Sequence, residues 1–221
     1  MLLSEVLSIR IRGDSLSQII EDKDIMTGRE WIGSTPTWIF DLDGTLTVAR
    51  HDFAALRRQL GLSDDDDILS VFDKATPSRA DALKRMISDW EWAQVPGTQA
   101  ANGARQLLDK LSQQGCNLAI LTRNLRDIAF ATLDEIGCRD YFQDDHVLGR
   151  EEAEAKPSPK GIYRCLDLME TRLPAIMVGD YIYDVQAGRA AGCRTILTSS
   201  TFEPEWLTYV DLHVHELAEL L

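Results

Sequence analysis

Apolar residues follow two rhythms along this chain. Short unbroken runs occur at Trp38-Ile39-Phe40, Leu118-Ala119-Ile120-Leu121, Val147-Leu148, Ala175 to Val178 and Thr195-Ile196-Leu197. Their length and their β-branched and aromatic content predict buried strands. Between them apolar positions recur at helical spacing, each stretch closed by a glycine: Ala104, Leu107, Leu108 and Leu111 before Gly115, Leu125 to Ile136 before Gly137, and Val185 to Ala191 before Gly192. A further helix is predicted over Pro159 to Leu168. Strands alternating with helices are βαβ units, so the pattern predicts an α/β fold with a parallel sheet and helices on both faces. Val210 to His215 adds an edge strand and Leu217 to Leu221 a terminal turn of helix.

Two stretches stand outside this alternation. After Leu46 the chain leaves the core before the next strand-helix unit, over a length that suits an inserted helical subdomain. Phe53, Leu56 and Leu60 form one helix stripe, stopped at Gly61. Ser63 is placed to cap a second helix whose first turn, Asp64 to Asp67, sets acids where the helix dipole favours them, with Ile68, Leu69, Val71 and Phe72 on its apolar side. Thr76-Pro77 opens a third, with a stripe of Leu83, Met86, Ile87 and Trp90, and Pro96-Gly97 marks the return. At the N-terminus Leu2, Leu3, Val6, Leu7 and Ile9, then Leu16, Ile19 and Ile20, allow short elements, while Gly13-Asp14 and Gly33-Ser34 interrupt anything longer. The division this predicts is an N-terminal extension over 1–35, a core over 36–46 and 95–221, and an insertion over 47–94. A packing arm, an oligomer contact and an upstream start ahead of Met26 are all open for the extension.

Composition narrows the partners. The chain has 221 residues, 44% hydrophobic and 27% charged, enough to bury a sizeable core. Its formal charge of -13 argues against nucleic acid and anionic membrane, both polyanions. No apolar run approaches the ~18 residues needed to span a bilayer, and the first residues lack the basic and apolar regions of a secretory signal. Cys116, Cys138, Cys165 and Cys193 show no C-x-x-C spacing, so they are read as reduced and mostly buried in a cytoplasmic protein.

Candidate chemistry lies at the strand ends, where open α/β sheets bind ligands. The first strand delivers Asp41 and Asp43 into Gly44; taken alone, this is also what an ordinary Asp-Gly turn looks like. Thr122 ends a second apolar strand, Lys156 sits between Ala155 and Pro157-Ser158-Pro159, and Gly179-Asp180-Tyr181-Ile182-Tyr183-Asp184 ends another strand. In this order the four stretches resemble the D-x-D-G-T, hydroxyl, K-P-x-P and G-D-x-x-x-D motifs of the haloacid dehalogenase-like (HAD) hydrolase superfamily, subfamily I. The likeness covers residues 38 to 200 and is to phosphoglycolate phosphatase-like members with a short helical cap. It implies a Rossmann-like core with residues 47–94 as the cap.

Charge balance gives the set its physical sense. Asp41, Asp43, Asp180 and Asp184 brought together repel each other and a phosphate dianion, so a hard cation and a lysine are required; Mg²⁺ suits an all-oxygen donor set. The resemblance implies Asp41 and Asp180 as side-chain metal ligands, Asp43 as a ligand through its carbonyl, and Asp184 as a ligand or just behind the ligands. It further implies Asp41 as the nucleophile that forms an aspartyl-phosphate, Asp43 as acid and then base, and Thr122 and Lys156 on the phosphoryl group. Arg123 and Asn124 lie on a loop that faces the pocket in relatives, which makes them candidate substrate contacts. Arg57, Arg58, Lys74 and Lys84 are the cap's candidate anion readers. His51, His146, His213 and His215 share no motif, and the last two fall on one strand face. An acid at Asp43 favours phosphate esters over halides, since a departing halide needs no proton.

The expected activity is a Mg²⁺-dependent phosphatase acting on a small phosphorylated metabolite. A sugar-phosphate mutase of the same superfamily and a non-catalytic HAD-like binding protein remain as alternatives; the brevity of the cap counts against the mutase and the intact acids against the binding protein. A short cap also implies modest selectivity.

Overall fold

In the computed structural model, residues 30–50, 52–63, 66–72 and 75–221 are described. The elements expected before Glu30 and the candidate Lys74 lie outside them. Glu30–Ser34, α1, is a five-residue helix belonging to a unit that ends at Ser34; a second unit runs over Thr35–Leu221. The helix includes Gly33 and Ser34, expected as interruptions, as its last two residues.

The second unit is built on β1, Thr37–Phe40, all four residues of which are buried. It lies between β2 (Asn117–Leu121) and β4 (Ile176–Gly179), with β3 (Val147–Leu148), β5 (Arg194–Thr198) and β6 (Leu212–Val214) completing a six-stranded sheet in the order β3-β2-β1-β4-β5-β6. Every pairing is parallel. Register puts Ile39 beside Ala119 and Met177, and all three point into one apolar layer with Ile162, Cys165 and Ala187. That layer is closed by α6 (Lys160–Leu168) and α7 (Ile182–Ala191). Trp38 and Phe40 alternate to the opposite face, stacked 5.9 Å apart and without solvent exposure, and the Trp38 indole donates to the Thr35 carbonyl at 3.1 Å. The crossovers carrying α4 (Ala104–Gln113) and α5 (Arg126–Glu135) run in the direction opposite to those of α6 and α7, so right-handed connections place them on this second face. The fold is a Rossmann-like α/β sandwich, as the alternation of runs and stripes predicted.

Between β1 and α4 come α2 (Phe53–Leu60), a 3₁₀ turn at Ile68–Phe72 and α3 (Pro77–Gln94). They share their own apolar cluster of Leu56, Leu60, Leu83 and Ile87, against which Ile68, Val71, Phe72 and Trp90 pack. Asp52 caps α2 by accepting from the Ala55 amide at 2.8 Å, and Gly61 ends it in the left-handed conformation. The second expected helix is a correction, because among the described residues only the 3₁₀ turn at Ile68–Phe72 forms there. Acids bind amides at its approach: Asp67 accepts from the Leu69 amide at 3.0 Å, and Asp66 accepts from the Ser63 amide at 2.8 Å. A carboxylate that binds a nearby amide offers the backbone an alternative to a full helical turn. Met86, expected in the buried stripe of α3, is exposed. Among the described residues no helix is long and apolar enough to cross a membrane, and Cys116, Cys138, Cys165 and Cys193 are all free thiols.

Candidate active site

The sheet order reverses between β1 and β4, and at this switch point the carboxyl ends of adjacent strands part to leave a crevice. The Asp41 amide still donates to the Val178 carbonyl at 2.9 Å, so the ladder between the two strands holds its carboxylate at the rim. Asp180 follows the end of β4, and Thr45 donates to it at 3.3 Å. The backbone between Asp41 and Thr45 comes so close that a Cβ on Gly44 would lie 2.3 Å from an Asp180 oxygen; Gly44 also has φ of +86°. Glycine is required there on both counts. Gly179 meets the same limit, a Cβ on it falling 2.2 Å from the Asp184 side chain.

Lys156 closes the set. Its ammonium, 2% exposed, donates to Asp41 at 2.5 Å and to the Leu121 carbonyl at 2.7 Å, and pairs with Asp184 at 2.6 Å. The other Asp184 oxygen accepts from the Tyr181 amide at 3.0 Å, which ties it to the start of α7. Carboxylate oxygens of Asp41, Asp180 and Asp184 lie within 4.8 Å of one another. One ammonium cannot neutralise three such acids, and burial and mutual repulsion raise the pKa values of Asp41 and Asp180. Burial pushes Asp41 up to about 6, against the pull of Lys156. Burial and then the charges of Asp41 and Asp184 drive Asp180 well above the ordinary carboxylate range. Burial, reinforced by Asp41 and Glu91, pushes Asp43 up to about 8. Lys156 loses hydration on burial, yet Asp184 and Asp41 hold it charged with a raised pKa. A compact set of oxygen donors with surplus negative charge fits a hard divalent cation such as Mg²⁺.

Beside this group Asn124 donates from its side chain to Asp43 at 2.6 Å, and its amide donates to the Thr122 hydroxyl at 3.2 Å. Asp41, Asp43, Thr122, Arg123, Asn124, Asp180 and Asp184 all line one cavity of about 360 Å³, roofed by residues of the inserted segment. Lys156 reaches it through the two acids it binds. The Asp43 carboxylate is not among the three acids whose oxygens cluster.

Of the cationic residues singled out in the insertion, Arg57 lines the cavity and donates from Nε to the Asp66 carbonyl at 2.9 Å. Arg58 and Lys84 are exposed and do not line it, which corrects their reading as anion readers. Arg123 is held by an ion pair with Asp67 and lies over the Tyr183 ring, 5.0 Å from its centre. Sequence reasoning missed Glu91 and Arg150. Glu91 is buried on the cavity wall and takes two contacts, at 2.7 and 2.9 Å, from Arg150, which also donates to the Arg123 carbonyl at 3.1 Å. The signal was there: Glu91 continues the buried Leu83–Ile87 spacing of α3, and Arg150 follows the end of β3. His213 is engaged with the Ser199 carbonyl at 2.8 Å and stacks edgewise on His215, and neither is among the acids.

With this geometry in place, the known proteins that the chain resembles are informative. The model of the haloacid dehalogenase-like hydrolase family matches residues 38–198. An uncharacterised hydrolase of Saccharomyces cerevisiae is 28% identical over 191 residues, covering 83% of this chain and 88% of that one. A phosphoglycolate phosphatase of Chromobacterium violaceum is 29% identical over 210 residues, covering 82% and 92%. The crystal structure of CbbY from Rhodobacter sphaeroides in complex with phosphate superimposes with a TM-score of 0.66 over 84% of this chain and 96% of that one, at 20% identity, a likeness of fold. The matched stretch begins at β1, contains Asp41, Thr122, Lys156 and Asp180 and ends with β5, and on that ground the chain belongs to the haloacid dehalogenase-like hydrolases.

Proposed function

We propose that this hydrolase is a Mg²⁺-dependent phosphatase of small phosphate monoesters that works through an aspartyl-phosphate. Residues 36–46 and 95–221 form its core, 47–94 its helical cap and 1–35 an extension. The observation that carries the reading is the contrast between two carboxyls at one strand end. Asp41 is gripped by the Lys156 ammonium at 2.5 Å, whereas Asp43, away from that ammonium, holds its proton up to about 8. Both acids are raised, Asp41 to about 6 and Asp43 further, to about 8, and neighbours so separated suit a nucleophile and a general acid.

An Asp41 oxygen attacks phosphorus, and the bond to the ester oxygen breaks with its electron pair leaving on that oxygen. Asp43 gives its proton to the departing alkoxide. Asp43, now ionised, takes a proton from water as the water oxygen attacks the aspartyl-phosphate, and inorganic phosphate leaves as the Asp41 carboxylate returns. Lys156, the Thr122 hydroxyl and the amides of the loop after β2 face the oxygens that gain charge. Asp41 and Asp180, with the Asp43 carbonyl, are the groups to hold Mg²⁺. Both Asp184 oxygens are engaged by Lys156 and the Tyr181 amide, which supports a place behind them. When bound, the ion neutralises the acids and the phosphoryl oxygens. Four free cysteines support a reducing, cytoplasmic setting.

Hydrolysis of p-nitrophenyl phosphate tests this directly. Turnover is expected with Mg²⁺, to vanish in EDTA and return when Mg²⁺ is restored, and to be lost in Asp41→Asn, whose amide cannot be the nucleophile. Wild-type rates from Asp41→Asn would overturn the covalent mechanism, and full activity in EDTA the metal.

A further inference from the structure

Four aromatic rings from two layers of the fold line the cavity that reaches Asp41. Phe53 and Trp90, 5.5 Å apart, come from the inserted segment; Tyr181 and Tyr183, 5.1 Å apart and edge to face, come from the start of α7. Phe53 is 43% and Tyr181 46% exposed, while Arg123 lies over the Tyr183 ring and Trp206 packs edgewise on Tyr181. Isolated exposed rings are commonplace, but four on one concave wall are not scattered surface.

Three of the cations at or behind the same cavity are already paired with acids. Lys156 is bound to Asp41 and Asp184. Arg123 is bound to Asp67, and Arg150 to the wall residue Glu91. Arg57, the remaining described cation on the wall, is tied through its Nε to the Asp66 carbonyl and has no ion pair among the described residues. A second anionic group on a substrate would lie beside Asp67 and Glu91, and would gain Arg123 only by parting an existing ion pair, leaving an acid without its partner. A flat apolar group meets no such penalty, removes water from the four rings and stacks or abuts them.

We propose that the leaving group of this enzyme is uncharged and carries a flat apolar face, an aryl or nucleoside-type ring, selected by Tyr181, Tyr183 and Trp90. The inference rests on the phosphomonoesterase reading for its term "leaving group", and sets the enzyme apart from hydrolases of phosphorylated carboxylic acids.

Substrates that all release a primary alkoxide isolate the effect from leaving-group chemistry. With Mg²⁺, kcat/KM for benzyl phosphate should exceed that for ethyl phosphate, and that for uridine 5′-monophosphate should exceed that for ribose 5-phosphate, each by about 10-fold or more, with phosphoglycolate lowest. The two ring-bearing arms separate an aryl from a nucleoside preference. Tyr181→Leu should shrink the benzyl-to-ethyl ratio roughly fivefold. Phosphoglycolate equal to or better than the ring-bearing esters overturns the proposal and leaves the phosphatase reading standing. Binding supplies a readout independent of turnover: benzylphosphonate should bind the wild-type protein with Mg²⁺ about 10-fold tighter than phosphonoacetate in calorimetry. That preference without hydrolysis of any ester would remove the phosphatase reading and keep the ring-selective site. Equal binding, tighter phosphonoacetate binding, or binding of neither overturns the site.

Discussion

Lys156 holds Asp41 at 2.5 Å and Asp184 at 2.6 Å with one buried ammonium, while Asp43, two residues further on, is held by the neutral Asn124 amide at 2.6 Å. The division of labour proposed for the two strand-end acids follows from this difference in partner. An ammonium favours the ionised form of its neighbour; an amide leaves burial and the adjacent charges to decide, and these push Asp43 up to about 8. Asp43→Asn keeps the shape and removes the proton. Alkyl phosphates should therefore lose about 10²- to 10⁴-fold in turnover, and p-nitrophenyl phosphate much less, because its phenolate departs readily without protonation. A series of esters of graded leaving-group pKa measures this, and equal losses along the series would contradict the acid role.

At the scale of elements, two ion pairs among the described residues join the inserted segment to the core, Asp67 with Arg123 and Glu91 with Arg150. In the second both side chains are about nine-tenths buried, at 9% and 10% exposure. Glu91→Ala should destabilise the protein by about 3–5 kcal/mol, since it leaves a buried guanidinium unpaired. Glu91→Leu combined with Arg150→Met should recover most of that, and urea unfolding of the singles and the double decides; losses that simply add would show that the two side chains do not act as a pair. These contacts also mark where sequence reading stops. Asp41, Asp43, Thr122, Lys156 and Asp180 were legible because each stands at the end of, or in a proline-fixed turn beside, an apolar run whose period is local. The strands and core helices were legible for the same reason. The role of Asp67 was not, because its position in a four-acid run gives a solvated helix start the same appearance as a capped 3₁₀ turn. Glu91 and Arg150 are 59 residues apart, and only the fold brings a charge on a helix stripe to a charge beyond a strand end. The expected anion readers Arg58 and Lys84 failed for the converse reason: amphipathic spacing says which face of a helix is apolar, but not which polar residue meets the cavity.

For the whole molecule the acids at the sheet edge set a pH dependence of stability whose sign differs from that of an ordinary salt-bridged protein. In the unfolded chain these carboxyls titrate near 3.8, whereas in the fold burial raises Asp41 to about 6 and Asp43 to about 8. Between those limits the folded chain binds more protons than the unfolded one, so its metal-free stability falls as pH rises from about 4 to about 8. The fall is not offset by Lys156, which stays charged throughout this range. In the proposed metal site Mg²⁺ would act in the opposite sense: binding the ionised carboxylates displaces their protons, so its affinity and the stabilisation it brings would increase with pH over the same interval. Thermal unfolding in EDTA should therefore give a Tm that declines from pH 5 to pH 8, and Mg²⁺ should raise Tm little at pH 5 and most at pH 8. Asp43→Asn should flatten the upper part of the metal-free decline, because an amide has no proton to hold between pH 6 and 8. A Mg²⁺-induced rise in Tm that is largest at pH 5 would contradict the buried protonated acids and with them the shared basis of the metal site and the general acid.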